Sequence, residues 1–185
     1  MPDEDYWESL FDVSLILDAL GVTRALVDVA ELGCGFGTFS IPVAQRIAGR
    51  VSTFDIDANM VARTEQRASF ARLPNLVCRQ RDVMEQGFGL PAGSVDAVLL
   101  FNILHCESPE VLLAHASDVV RCGGQILVIH WRSDLATPRG PDLAIRPKPQ
   151  QIFAWAHDTG KLQPTGGAID LLPWHYGIKL LRDAP

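Results

Sequence analysis

The chain of 185 residues carries a formal net charge of -6, with 48% hydrophobic and 21% charged residues. That length supports one sizeable core rather than two, in the composition of an ordinary folded protein. No apolar run approaches the ~20 residues of a membrane span, and the acidic balance disfavours a phosphate-backbone partner. The start, MPDEDYWESL, is acidic and aromatic, whereas a secretory signal begins basic and then turns apolar. Cys34, Cys78, Cys106 and Cys122 form no C-x-x-C pair, so they read as reduced thiols of a cytoplasmic protein. Neither the cysteine nor the histidine spacing forms a structural zinc set, and no metal is expected.

Between Asp5 and Leu20, Trp7, Leu10, Phe11, Leu17 and Leu20 recur near helical spacing, and Gly21 ends the predicted helix. ALVDVAELG (25–33) predicts a strand running into a glycine loop, and helical spacing returns from Thr38 to Ala48. RVSTFDID, NMVARTEQRASFARL and NLVCRQRD predict a second strand, a helix and a third strand. SVDAVLLFN, the most apolar run, predicts a central strand. Pro109 opens a helix reaching Arg121, and Gly123-Gly124 precedes the strand QILVIHW. Residues 132–149 hold Pro138, Pro141, Pro147 and Pro149 without periodicity, and loops of that length are usually functional or disordered. A helix over Pro149–Asp158 and the strand HYGIKLLR follow. Strands alternating with helices, with no repeat and no linker, predict one α/β domain over residues 1–185. Its sheet should be doubly wound and parallel.

Such sheets bind ligands at the carboxyl ends of their strands. There AELGCGFGTFS places Gly33, Gly35 and Gly37 on alternate positions, after a strand and before a helix. Asp55 follows Gly35 by 20 residues and ends the second strand, where a carboxylate can accept both hydroxyls of a ribose. A dinucleotide loop would read G-x-G-x-x-G, but Thr38 occupies the third slot. A tight turn without a ligand is the alternative, opposed by the coincidence of strand, glycines and acid.

In these motifs the chain resembles the class I S-adenosylmethionine (SAM)-dependent methyltransferases, in their small single-domain bacterial form. The match runs from about Ala25 to Arg182. It comprises E-x-G-x-G-x-G (Glu31 to Gly37), Asp55, Arg81-Asp82-Val83, Ser94 to His105, the glycine pair before the fifth strand, and HYGIKLLR. The resemblance implies a Rossmann-like, doubly wound, seven-stranded sheet, mostly parallel with its last strand antiparallel. It implies SAM as cofactor, leaving as S-adenosylhomocysteine (SAH). It also implies contacts. The backbone at Gly33, Gly35 and Gly37 passes the methionine part, and Glu31 holds its amino group. Asp55 takes the ribose diol, with Ile56 and Met60 against the adenine. Asp82 accepts from the adenine amino group and the Val83 amide faces a ring nitrogen. Asn102 and Ile103 lie beside the methionine end and the sulfonium. Met60 also reads as core, and Asp82 as a helix cap.

SAM is a cation without phosphate, so carboxylates suit it better than an anion-binding helix end. The cofactor brings the reactive group while the protein orients it. NILHCES, after the fourth strand, departs from the proline-proline-aromatic motif of amino methyltransferases acting on DNA bases or protein glutamine. A small-molecule acceptor is therefore expected, with neither nucleic acid nor membrane as partner. His105 and Cys106, with His130, Trp131 and Arg132, form the expected substrate face. His130 is the preferred general base and His105 the neighbouring candidate, while Trp131 should face the other side of the strand. In the 132–149 loop Arg132, Arg139, Arg146 and Lys148 outnumber Asp134 and Asp142. An anionic acceptor is one reading of this; arginines that tie the loop to the body are the preferred one. In residues 1–21, Tyr6, Trp7 and Phe11 read as a core stripe or as part of a lid. Two rivals remain: a non-catalytic SAM- or nucleoside-binding module, and a nicotinamide-dependent oxidoreductase.

Overall fold

Val29–Leu32 (β1), buried along its whole length, is the strand around which the others are ordered. In the computed structural model, which describes residues 3–184, β2 (Val51–Asp55) and β4 (Val95–Phe101) flank it in parallel. β3 (Leu76–Gln80) pairs outside β2, and β5 (Val120–Trp131) outside β4, again in parallel. β6 (Leu162–Pro164) and β7 (Ile169–Leu171) both pair antiparallel with β8 (His175–Arg182). β8 itself runs antiparallel to β5, from Gln125↔Leu181 to Trp131↔His175. The order is β3-β2-β1-β4-β5-β8-β6, with β7 beside β8. The expected mostly parallel sheet with an antiparallel last strand is thus present. The eighth strand arises because the edge beyond β8 is broken into two short pieces. Met1, Pro2 and Pro185, at the ends of the expected 1–185 domain and of its 1–21 segment, lie outside the described residues.

Side chains alternate across the sheet and define its two covers. Leu127, Ile129 and Trp131 of β5 join the core under α2 (Val13–Leu20), α3 (Ser40–Arg46) and α4 (Ala58–Phe70). Ile126 and Val128 join the opposite core under α5 (Val83–Gln86), α6 (Pro109–Val119) and α7 (Pro149–Asp158). Each fully buried aliphatic side chain contributes about 1.5–3 kcal/mol relative to exposure. This explains why the apolar alternation outweighs local propensity in setting the layers.

The helix expected over 5–20 is in fact two. α1 (Glu4–Glu8) ends at Ser9, and Asp12 accepts from the Leu15 amide at 3.0 Å to cap α2. Leu10 and Phe11 keep helical spacing, yet they are buried from a bent connection, so spacing alone concealed the break. β5 likewise begins at Val120 rather than at Gln125, taking in the glycine pair through a register shift between Val95 and Ala97.

Candidate functional site

The strand order reverses between β1 and β4, which opens a crevice at their carboxyl ends. The backbone leaving β1 turns left-handed at Gly33, Gly35 and Gly37, with φ of +84°, +51° and +81°. A side chain is costly at such angles. Gly33 N–H donates to the Phe54 carbonyl at 2.7 Å, and Gly35 N–H to Oδ2 of Asp55 at 3.0 Å. The other Asp55 oxygen accepts from the Asp57 amide at 3.0 Å. Both oxygens of the acid ending β2 are therefore fixed by backbone donors.

Glu31 points from β1 toward α3 and is 2% exposed. It accepts from the hydroxyls of Ser40 and Thr53, the latter at 2.9 Å. Burial outweighs these bonds and pushes its carboxyl up to about 7. Glu31, Gly33, Gly35, Asp55, Met60, Asn102 and Ile103 line a cavity of about 290 Å³. Asn102 holds a left-handed backbone (φ +56°), and its buried Oδ1 meets no partner among the described residues. A buried acceptor without a partner is uncommon in a folded protein. A second cleft of about 160 Å³ shares Gly33, Asp55 and Ile103 with the first and continues past Ile56, Asp82 and Val83. Ile56 is 66% exposed there, and Asp82 caps α5 by accepting from the Glu85 amide at 3.2 Å.

Of the residues expected around a cofactor, Gly37 alone lines neither cleft. A Cβ at Gly37 would lie 3.2 Å from Ile41 and 3.3 Å from Thr64, so this glycine lets α3 approach α4. Trp7, Thr38, Phe39 and Phe101 also line the first cavity. Thr38 and Phe39 follow the glycine motif directly and Phe101 lies within the Ser94–His105 run, which was the available signal. Trp7 reaches the cavity because α1 is clamped on α4 by ion pairs: Arg63–Glu4 at 2.8 Å, Arg67–Glu4 at 3.1 Å and Arg67–Glu8 at 2.5 Å. Trp7 also packs edge-on against Phe11 and Trp131, so it joins core and cavity.

The two histidines lie together, and neither lines this cavity. His130 is fully buried on the α6–α7 face, and Trp131 faces the α2–α3 side. His130 Nδ1 lies 3.2 Å from the Trp131 carbonyl, and Nε2 lies 3.3 Å from Nδ1 of His105. Burial pushes His130 down to about 4 and also lowers His105. His105 and Cys106 line a separate cavity of about 340 Å³ with Arg146, Gln151 and Trp155. Cys106 also lines the second cleft.

Each arginine expected on the substrate side is engaged within the protein. Arg132 pairs with Asp134 at 2.6 Å, and Arg139 lies 5.5 Å over the Tyr6 ring. Arg146, 7% exposed, donates at 2.9 Å to the carbonyls of Arg132 and Pro141 and at 3.4 Å to that of Arg139. One guanidinium thus bonds backbone acceptors from three places along an irregular segment. Among the described residues, no group of three or more His, Cys, Asp or Glu could hold a metal, and no helix is long and apolar enough to cross a membrane.

A family model described as a methyltransferase domain matches residues 29–124, just over half of the chain, from β1 through the glycine pair in β5. The chain belongs to this methyltransferase family. No curated protein matches it in sequence. Among solved structures, this methyltransferase-family chain is similar to a SAM-dependent methyltransferase from Aquifex aeolicus, at 19% identity and TM-score 0.84, over 97% of this chain and 94% of the other. It is similar to a cyclase, SpnF, at 14% identity and TM-score 0.79, over 96% of this chain and 81% of the other. It is also similar to a magnesium protoporphyrin IX methyltransferase from Synechocystis PCC 6803 with bound SAH, at 18% identity and TM-score 0.67, over 92% and 80%. At these identities the likeness is one of fold.

Proposed function

We propose that the protein is a SAM-dependent methyltransferase acting on a small-molecule acceptor and releasing SAH. The supporting observation is the charge of the crevice. Glu31, Asp55 and Asp57 line its first cavity and no lysine or arginine does. Such a cavity suits a cationic, hydroxyl-bearing ligand and repels the pyrophosphate of a dinucleotide. Glu31 would hold the ammonium group and Asp55 the ribose diol, with Gly33 and Gly35 giving close passage. Ile56 and Met60 would cover the adenine, while Asp82 and the Val83 amide would bond its edge. The unpaired Asn102 acceptor and Ile103 would face the methionine end. Bound SAM supplies a methyl group on a sulfonium; the residues orient it and exclude water.

Trp7 on the cavity wall supports residues 1–21 as a lid, and the 132–149 loop borders the substrate side of a single domain. The free thiols and the acidic charge support a cytoplasmic protein without nucleic-acid or membrane partners. For an acceptor that enters the cavity lined by His105 and must lose a proton, His105 is the accessible base. With His130 Nδ1 donating to the Trp131 carbonyl, its Nε2 accepts from His105 Nδ1–H. The Nε2 lone pair of His105 is then left for the proton. His130 thereby positions His105 from behind.

One observation favours a second reading. No histidine lines the first cavity, and a cyclase shares the fold, so SAM binding without methyl transfer is the rival. Calorimetry with SAM, SAH and NAD side by side, followed by SAH release across an acceptor panel, separates these outcomes. SAM binding with acceptor-dependent SAH release supports the proposal. SAM binding without release across hydroxyl, amine and thiol acceptors favours the rival. Binding of NAD in place of SAM overturns both.

A further inference from the structure

Beyond Thr38 the surface falls into an open groove of about 810 Å³, between the α1–α2 connection, the start of α3 and the segment before β8. Its lining mixes apolar side chains, among them Phe11, Val13, Ile41, Leu172 and Trp174, with the polar Ser9 and Thr38. Leu172 is 64% exposed although it faces the groove. The charged groups are Glu8, Asp12 and Arg67. Arg67 is taken up by Glu4, Glu8 and the Phe36 carbonyl, the last at 2.7 Å. Asp12 makes no ion pair among the described residues, so the uncompensated charge of the groove is negative.

Thr38 lines both this groove and the first cavity of the crevice. It is 6% exposed, and its hydroxyl meets no partner among the described residues. A buried hydroxyl without a bond is costly and rare unless something else pairs with it. Here it stands at the junction of the two spaces.

We propose that the groove binds the methyl acceptor, and that the acceptor is a neutral or cationic molecule with an apolar body whose hydroxyl or neutral amine meets Thr38 at the junction. The inference rests on the cofactor reading of the crevice. In the transfer, the lone pair of the acceptor oxygen or nitrogen forms a bond to the methyl carbon. The carbon–sulfur bond breaks with its electrons passing to sulfur, and the proton left on the acceptor passes to water. An anionic acceptor finds no free cation here, since Arg132, Arg139 and Arg146 are engaged elsewhere.

The test uses the isotope-labelled full chain with SAH, titrated with benzyl alcohol, benzylamine and benzoate, which share one ring and differ in charge. Nuclear magnetic resonance should show the amides of Val13, Ile41 and Trp174 shifting with the first two. Benzylamine should bind roughly fivefold tighter than benzoate, the scale of one partly exposed charge pair. Asp12→Asn keeps the α2 cap and should erase the benzylamine advantage while leaving benzyl alcohol unchanged. Benzoate binding as well as benzylamine, an advantage that survives Asp12→Asn, or groove amides unmoved by all three probes would overturn the proposal. Calorimetry on the same samples separates the two readings. Absent SAH binding overturns the cofactor reading and the acceptor role with it, whereas SAH binding with an unmoved groove overturns the groove alone.

Discussion

The Gly35 amide donates to the Asp55 carboxylate at 3.0 Å, joining the glycine loop of β1 to the acid that ends β2. The two motif elements therefore hold each other in place before any ligand arrives. Asp55→Ala should cost the diol contact and this internal bond together. At about 1.5–3 kcal/mol for each charge-assisted bond, SAM affinity should fall by more than tenfold in calorimetry. Asp118→Ala removes only an exposed pair with Lys161 and should leave affinity unchanged.

Gly35 holds φ +51°, a conformation that resists any Cβ and above all a branched one. Gly35→Ala should lower stability by about 1–2 kcal/mol in denaturant titration. Gly35→Val should abolish SAM binding while circular dichroism still reports a folded sheet. Unchanged affinity in the folded Val variant would refute the assignment of the loop.

Burial holds the Glu31 carboxyl near 7 against an ordinary 4.5. The folded-state value is the higher one. The contribution of Glu31 to stability is thus complete below 4.5 and disappears as pH rises through about 7. Cofactor affinity should run the opposite way, because an ammonium group is held by the ionised form. Affinity should climb with pH up to about 7 and then level off, and Glu31→Gln should flatten the profile. A wild-type affinity independent of pH between 5.5 and 8.5, on the order of three units around that value, would remove Glu31 from the site.

Arg146 satisfies carbonyls from Arg132, Arg139 and Pro141. Arg146→Ala should lower stability by roughly 2–3 kcal/mol and make residues 132–149 the first target of proteinase K. Arg146→Lys should restore little of this, because one ammonium cannot span the same acceptors. Identical cleavage patterns in wild type and Arg146→Ala would show that the loop is held by other contacts, such as the bond from Tyr176 to the Pro147 carbonyl at 2.5 Å.

If a hydroxyl or amine acceptor enters the cavity lined by His105 rather than the groove beyond Thr38, His105→Ala should reduce turnover by ~10²–10⁴-fold without changing SAM affinity. With a groove-bound acceptor, whose proton passes to water, turnover should be unchanged. His130→Ala should cost less, because His130 acts only by orienting its neighbour. Burial and Arg146 hold His105 below its usual value, so the wild-type rate should rise with pH on the acid side of 6.5 and be flat above it. Full activity in both variants would leave proximity as the whole of the catalysis.

The strands were legible because burial on both faces leaves a continuous apolar signature, as in VLLF of β4, and HYGIKLLR of β8 has the same bounds in both readings. Glu31, Asp55 and Asp82 were readable as positions because each stands within two residues of the carboxyl end of a strand. β6 and β7 were not, since three residues give no period to detect. His130 shows the limit most clearly. Alternation along β5 set the face it occupies, but its ring neighbours His105 and Tyr176 come from other strand ends, far away in sequence. That Arg146 ties down the loop was the preferred reading of its charge, but its particular acceptors were not legible, because they are backbone atoms, which leave no trace in residue type.

The interrupted edge beyond β8 bears on how the molecule behaves at high concentration. An exposed strand edge can template the addition of another chain, and growth of such stacks begins on long, regular edges. Here that edge is cut into two three-residue pieces separated by Thr165 to Ala168, and Pro164 lacks the amide that an incoming strand would need. Sheet-to-sheet polymerisation from this side is therefore blocked by the covalent chain itself, without a charged gatekeeper on β6.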